Sequence, residues 1–241
     1  MIAPLNIKIF YTLYAINDWE KIFTRHLFHI SNSGLLKNTN KFIIHCFPRV
    51  DNLKKIIDKY NLYNNIEVIF EKDNFYEYPA LVDLLTSYSD YNLYLHSKGS
   101  SILNTSTYKP ISHIWNKYMT YFNVLCWKYC IFCLNMLDLD TIGVDKWSSQ
   151  YSGNFFWTTG NHIKRLIAAN CTSKIVITAD NRFEAENFIC SLPNGKYGVF
   201  NEKIYFFNSF NNYSKAYSKY KIRRVFNSIN KFKKYPTINI E

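Results

Sequence analysis

The chain is poor in the residues that punctuate loops, with seven glycines and six prolines among 241 residues. It contains neither a G-x-G-x-x-G nor a Walker loop, which excludes the usual dinucleotide and P-loop cradles for phosphate. No window reaches the roughly 18 uninterrupted apolar residues of a membrane span. The opening MIAPLNIKIFYTLYAIND lacks a basic start and a small-residue cleavage site, and Lys8 interrupts it, so no secretory leader is expected. Six cysteines lie scattered at positions 46, 126, 130, 133, 171 and 190. Cys130 and Cys133 form a lone C-x-x-C with no His pair nearby, which argues against zinc. Together with Cys126 they fall on one helical face, as buried thiols do. Reduced cysteines suit a cytoplasmic protein.

What is present is apolar and basic. Hydrophobic residues make up 48% of the chain and aromatics 18%, a globular composition rather than a disordered one. The net charge of +11 invites an anionic partner. Lys215, Lys219, Lys221, Arg223, Arg224, Lys231, Lys233 and Lys234 form a run that no acid interrupts. A nucleic-acid domain would spread such charge over its core, so the expectation is a folded domain over 1–207 and a basic extension over 208–241, able to meet an anionic surface.

Periodicity supplies the order of elements. IKIFYTLYA at 7–15 reads as a strand, and Ile22, Phe23, Leu27 and Ile30 mark a helix from Trp19. His26 and His29 ride that helix, where surface or boundary packing is expected. KFIIHCF at 41–47 and IEVIF at 66–70 are strands, separated by a short helix within 51–60. A helix over 76–88 leads to a fourth strand, Leu93–Gly99, that delivers the tip His96-Ser97-Lys98. Strand alternating with helix predicts a parallel sheet. A long helix is expected over 115–137, a brief strand over 141–144, helices over 161–169 and 181–189, and a strand pair within 195–207.

In open α/β sheets, ligands bind at the carboxyl ends of strands. The tip His96-Ser97-Lys98 therefore reads either as a cationic, hydrogen-bonding edge of a site or as a Ser/Gly turn. Asp145 and Glu186 are carboxylates in aromatic surroundings, each a general base or a capping group. Asn154, between Gly153 and Phe155, reads as a sugar-binding amide with Phe156 or Trp157 as a stacking wall, or as a turn between core strands. The acid pair Asp138-Leu139-Asp140 follows a helix rather than a strand and reads as a helix-end loop.

The run from Glu77 to Gly99, WNKYMTYFNV at 115–124, SGNFFW at 152–157 and RFEAE at 182–186 resemble a family of short glycosyltransferases of bacteria and large DNA viruses. That family carries Y-L-H-T-K-G and S-G-N-F-W-W motifs. The tip is also distantly similar to that of rhamnan-synthesis rhamnosyltransferases. The resemblance implies an α/β fold of the GT-A type, Rossmann-like, with a mostly parallel sheet flanked by helices. It implies transfer of a hexosyl or deoxyhexosyl group from a nucleotide-sugar donor to a glycan or polysaccharide acceptor, in the cytoplasm, or the host's cytoplasm if the chain is viral.

Residue by residue, the resemblance points to donor binding by Glu77, His96, Ser97, Lys98, Ser152, Gly153, Asn154, Trp157 and Arg182, with Glu186 and Asp145 as the catalytic carboxylates. Asn116 stands where the family has Arg, Phe156 where it has Trp, and Asp145 where it often has Asn. GT-A enzymes often place a D-x-D at the end of the fourth strand to bind a metal, and here His96-Ser97-Lys98 takes that place. No metal ligand is assigned, and manganese or magnesium is compatible with the fold without being required by the motifs. A reading from another class is a non-catalytic basic α/β module that binds nucleic acid or anionic glycan.

Overall fold

The computed structural model describes residues 5–60, 63–102, 105, 109–147, 149–172, 184–200 and 238–240. Strands β1 (Ile7–Tyr14), β2 (Lys41–Phe47), β3 (Ile66–Phe70) and β4 (Tyr91–His96) alternate with helices α1 (Trp19–Asn32), α2 (Leu53–Asp58) and α3 (Tyr78–Ser87). All four strands are parallel, in the spatial order β3-β2-β1-β4. The expected parallel βαβ core is therefore present.

Beyond β4 the winding changes. Helices α4 (Lys109–Thr120) and α5 (Trp127–Met136) lead to β5 (Thr141–Val144), the hairpin β6 (Lys146–Trp147) and β7 (Gln150–Tyr151), and β8 (Phe156–Thr159). Strand β8 inserts antiparallel between β4 and β5. After α6 (Gly160–Ala168) and α7 (Glu184–Asn187), β9 (Tyr197–Phe200) pairs parallel with β5. Strand β10 (Ile238–Ile240) then pairs antiparallel with β9 as the eighth strand. The sheet is mostly parallel and flanked by helices, as expected. Residues 238–240 of the stretch expected to form a basic extension lie in it, and residues 201–237 lie outside the described residues.

The period of two along each strand sorts the core into two layers. Ile7, Ile9, Tyr11 and Leu13 of β1 join Leu93 and Leu95 of β4 against α1, α2, α4 and α5. Phe10, Ile43 and Tyr94 face the other way, against Ala80, Leu81 and Leu84 of α3 and Ile163 and Leu166 of α6. Burying each such aliphatic side chain stabilises the fold by about 1.5–3 kcal/mol. With both faces covered, the central strands read as unbroken apolar runs.

One expected element is corrected. The helix over 115–137 is broken by a π-helical segment, Tyr121–Leu125, where Cys126 N–H donates to Tyr121 O at 3.0 Å. The inserted residue shifts the helical phase, so Phe122 and Val124 as well as Trp127 and Ile131 are buried. The same shift takes Cys126 to a half-buried position, leaving Cys130 and Cys133 in the core.

Candidate active site

Strands β1, β4, β5 and β9 all end at one edge of the sheet, and antiparallel β8 begins there. At that edge the β4 tip is tied to β1 by hydrogen bonds through Ser97. Ser97 N–H donates to Thr12 O at 3.0 Å, and Ser97 Oγ accepts from Tyr14 N–H at 2.8 Å. Ser97 thus positions the tip through the backbone. Lys98 follows, its ammonium 5.0 Å from the ring centroid of Trp115. Gly99 has φ +90°, and a side chain there would overlap Ser112.

His96 points into the α3 layer, where a polar cluster gathers around Glu77, the residue before α3. Glu77 Oε2 accepts from Asn154 Nδ2 at 2.5 Å and from Tyr94 OH at 3.1 Å. Glu77 Oε1 lies 3.5 Å from His96 Nε2, which also donates to Gly153 O at 2.8 Å. Thr12 Oγ1 and Tyr94 OH are 3.1 Å apart. Burial alone would raise the Glu77 pKa. The charges of His96 and Lys98, with hydrogen bonds from Asn154 and Tyr94, outweigh it and hold the carboxyl below its ordinary value.

The segment Ser152–Asn154 makes this contact through left-handed backbone, with φ 65° at Gly153 and 56° at Asn154. Asn154 is completely buried, and its Oδ1 has no hydrogen-bond partner among the described residues. It is an amide aimed at Glu77, in a turn that joins the small β6–β7 hairpin to the core strand β8 rather than two core strands. Ser152 lies in the same turn.

The two carboxylates expected to act as base sit on different elements, one just after β5 and the other on α7. Asp145 follows β5 with φ 43° and is 7% exposed, and its N–H donates to Phe200 O at 3.3 Å. Glu186, on α7, is 8% exposed, and its charge contributes to raising the Tyr94 pKa, after burial and Glu77. Arg182 lies outside the described residues.

Two expectations fail on burial. Trp157 and Phe156 are both completely buried, and Trp157 Nε1 donates to Asn123 O at 2.7 Å. Neither ring has a face left for a sugar, because Trp157 packs into one core layer and Phe156 into the other, with helices covering both faces of the sheet. His26 is corrected as well: it is fully buried, not a surface or boundary residue. Its position four residues after Ile22 and four before Ile30 puts it on the apolar stripe of α1.

Asp138 and Asp140 precede β5 and so lie at the opposite edge of the sheet. Asp140 accepts from Arg165 Nη1 at 2.7 and 3.0 Å and from Lys196 N–H at 2.8 Å, while Asp138 pairs with Lys196 Nζ. They clamp α6 and the approach to β9.

Periodicity alone did not single out Tyr94 or Thr12, although each was findable. Tyr94 shares a strand face with His96 two residues on, and Thr12 is the β1 register partner of His96.

Neither a protein-family model nor a curated protein matches the chain. Solved structures match at low similarity. A mannosyltransferase from Pyrobaculum calidifontis, in complex with GDP-Man and Mn2+, is 8% identical, covering 67% of this chain and 46% of its own, with a TM-score of 0.43. TarS 1-349 from S. aureus is 10% identical, covering 83% of this chain and 59% of its own, with a TM-score of 0.46. A 4-diphosphocytidyl-2C-methyl-D-erythritol synthase from Anaerococcus prevotii is 12% identical, covering 91% and 98%, with a TM-score of 0.43. The chain spans about half the length of the first two. Similarity at this level bears on neither substrate nor mechanism.

Proposed function

We propose that this chain is a glycosyltransferase that takes a sugar from a nucleotide-sugar donor and passes it to a glycan or polysaccharide acceptor, in the cytoplasm. The observation that carries the reading is the convergence of Glu77, His96, Lys98 and Asn154 at the carboxyl edge of a mostly parallel sheet. Such edges are where open α/β sheets take ligands. A carboxylate and an imidazole set close together, held in place by the buried Asn154 amide, offer the acceptor and donor that sugar hydroxyls need, and the adjacent ammonium suits an anionic leaving group.

In the proposed reaction, the acceptor hydroxyl attacks the anomeric carbon as its proton passes to a carboxylate. The bond from that carbon to the phosphate oxygen breaks, and the nucleoside diphosphate leaves with the electron pair, facing Lys98. Glu186 is the proposed base, since a helix holds a carboxylate more firmly than a strand-end turn does. Asp145 sits at the margin, and Arg182 is proposed on the donor side from its motif alone.

The residues described at the β4 tip do not fit a divalent cation. Glu77 is held in the cluster by hydrogen bonds from Asn154 and Tyr94, and the charges of His96 and Lys98 already bear on it. No step is therefore assigned to a metal.

The test is calorimetric titration of UDP-Glc and GDP-Man, with and without manganese, into the wild type and Lys98→Ala. Lys98→Ala should weaken donor binding by about 1.5–3 kcal/mol, the scale of a charged hydrogen bond. No binding of any nucleotide sugar, together with steeply salt-dependent binding of a polyanion, would favour the non-catalytic basic module. The uninterrupted basic run is what supports that second reading.

A further inference from the structure

The β4 tip is braced from both faces of the sheet. On the α3 side stands the Glu77 cluster. On the α1 side a chain of buried hydrogen bonds ends at the backbone of Lys98. Asn116 of α4 is completely buried, and its Nδ2 donates to Lys98 O at 3.3 Å. The other end of the same amide, Oδ1, accepts from Arg25 Nη2 at 2.5 Å and His26 Nε2 at 2.9 Å.

The order of donors in this chain follows from His26. Its Nδ1 lies 2.8 Å from Tyr11 OH. Burial, followed by the charge of Arg25, lowers the His26 pKa to about 3, so the ring is neutral. A neutral ring donating from Nε2 accepts at Nδ1 from Tyr11. Thr120 Oγ1 donates to Asn116 O at 2.6 Å and lies 3.2 Å from His26 Nε2. The amide cannot flip without setting its NH2 against two donors and its oxygen against the Lys98 carbonyl. Arg25 also lines an open cleft with Asn17, Asp18, Lys21 and Phe28, so its side chain borders solvent.

We propose that Arg25 and Lys98 form a two-cation seat for a diphosphate, with Asn116 as the residue that sets their spacing. The identity of the anion rests on the glycosyltransferase reading, while the seat itself rests on the shared amide. A planar guanidinium and a point-charge ammonium complement each other on a diphosphate: the fork takes two oxygens of one phosphoryl group and the ammonium takes the other. Arg25 thereby gives the tip a second cation from α1, a part of the chain that no motif marked.

Inorganic pyrophosphate is the direct probe, titrated by calorimetry beside UDP-Glc and GDP-Man. Arg25→Gln keeps a donor for Asn116 and removes only the charge, and a circular dichroism melt checks that it folds. Arg25→Gln and Lys98→Gln should each weaken pyrophosphate binding roughly tenfold or more, and the double variant should lose more than either. Wild type that ignores pyrophosphate, or folded Arg25→Gln that binds it unchanged, overturns the seat. Nucleotide sugars binding wild type and Arg25→Gln alike would leave the glycosyltransferase reading standing while the seat falls. Pyrophosphate binding that needs both cations, with no nucleotide sugar bound, would keep the seat and remove the donor reading.

Discussion

Asn154 Nδ2 donates to Glu77 Oε2 across 2.5 Å, joining the turn before β8 to the residue that opens α3. Replacing that amide by an isosteric acid sets two carboxyl groups against each other in a buried place. Two such groups cannot both ionise, so one must keep its proton at a cost that grows with pH. Asn154→Asp should therefore lower the melting temperature clearly at pH 7.5 and much less at pH 4.5. A loss of equal size at both values would show that the amide does not depend on the Glu77 charge.

Gly153 holds φ 65°, and a Cβ there would overlap Sδ of Met119. The left-handed backbone and the missing space act separately. Gly153→Ala should cost about 1–3 kcal/mol in urea unfolding. Adding Met119→Ala frees the space but not the backbone, so it should fail to restore wild-type stability. Full restoration would place the whole cost in the clash.

His45 is held between two acids, with Nδ1 2.7 Å from Glu71 Oε1 and Nε2 3.2 Å from Asp83 Oδ2. Burial alone would lower its pKa, but the hydrogen bonds and charges of Asp83 and Glu71 outweigh it and raise the value. Lys41 is the further charge that bears on Asp83. A raised folded pKa means the stabilisation is fully present below the unfolded value of about 6.5 and is lost as pH rises through the folded value. Urea midpoints measured from pH 5.5 to 9 should fall over that window in wild type. His45→Gln should flatten the fall, and parallel curves for the two proteins would refute the assignment.

The buried His26 gives the opposite slope. Its pKa of about 3 lies below the unfolded value of about 6.5, so its contribution is complete above pH 6.5 and is lost as pH falls towards 3. Within that window the slope from this one group approaches about 1.4 kcal/mol per pH unit. His26→Gln, which still donates to Asn116, should lose that part of the acid sensitivity. Unchanged acid midpoints would mean that other groups dominate.

Glu186→Gln should cut turnover by roughly 10²–10⁴-fold while donor binding survives, if Glu186 takes the proton. Near-normal turnover in Glu186→Gln, with Asp145→Asn inactive, would exchange the two roles.

The parallel half of the fold was legible because its strands are short apolar runs with sharp ends. KFIIHCF, IEVIF and TIGV match β2, β3 and β5 residue for residue. The polar tip after β4 was legible for the same reason. Strand β8 as an antiparallel insertion was not, since pairing partners leave no mark in local periodicity. That insertion buries Phe156 and Trp157 and turned the expected stacking wall into core. The π segment was also hidden, because one inserted residue in an apolar stretch leaves the pattern apolar. His26 shows a different failure. Its spacing placed it inside, but its titratable ring suggested the surface, and only the partners Tyr11 and Asn116, far away in sequence, make burial affordable.

The reversed direction of β8 divides the chain around it into two zones of unequal tolerance. Its start meets the β4 tip, whereas its end, at Thr159, pairs with Tyr91 on the far side of the sheet. Random insertions between Gln150 and Phe155 would land among Glu77, His96 and Asn154 and break the buried contacts that join them. Insertions following Ala168, at the end of α6, would leave those contacts alone. The first stretch is packed and strained and should tolerate little change, whereas the second lies away from the Glu77 cluster.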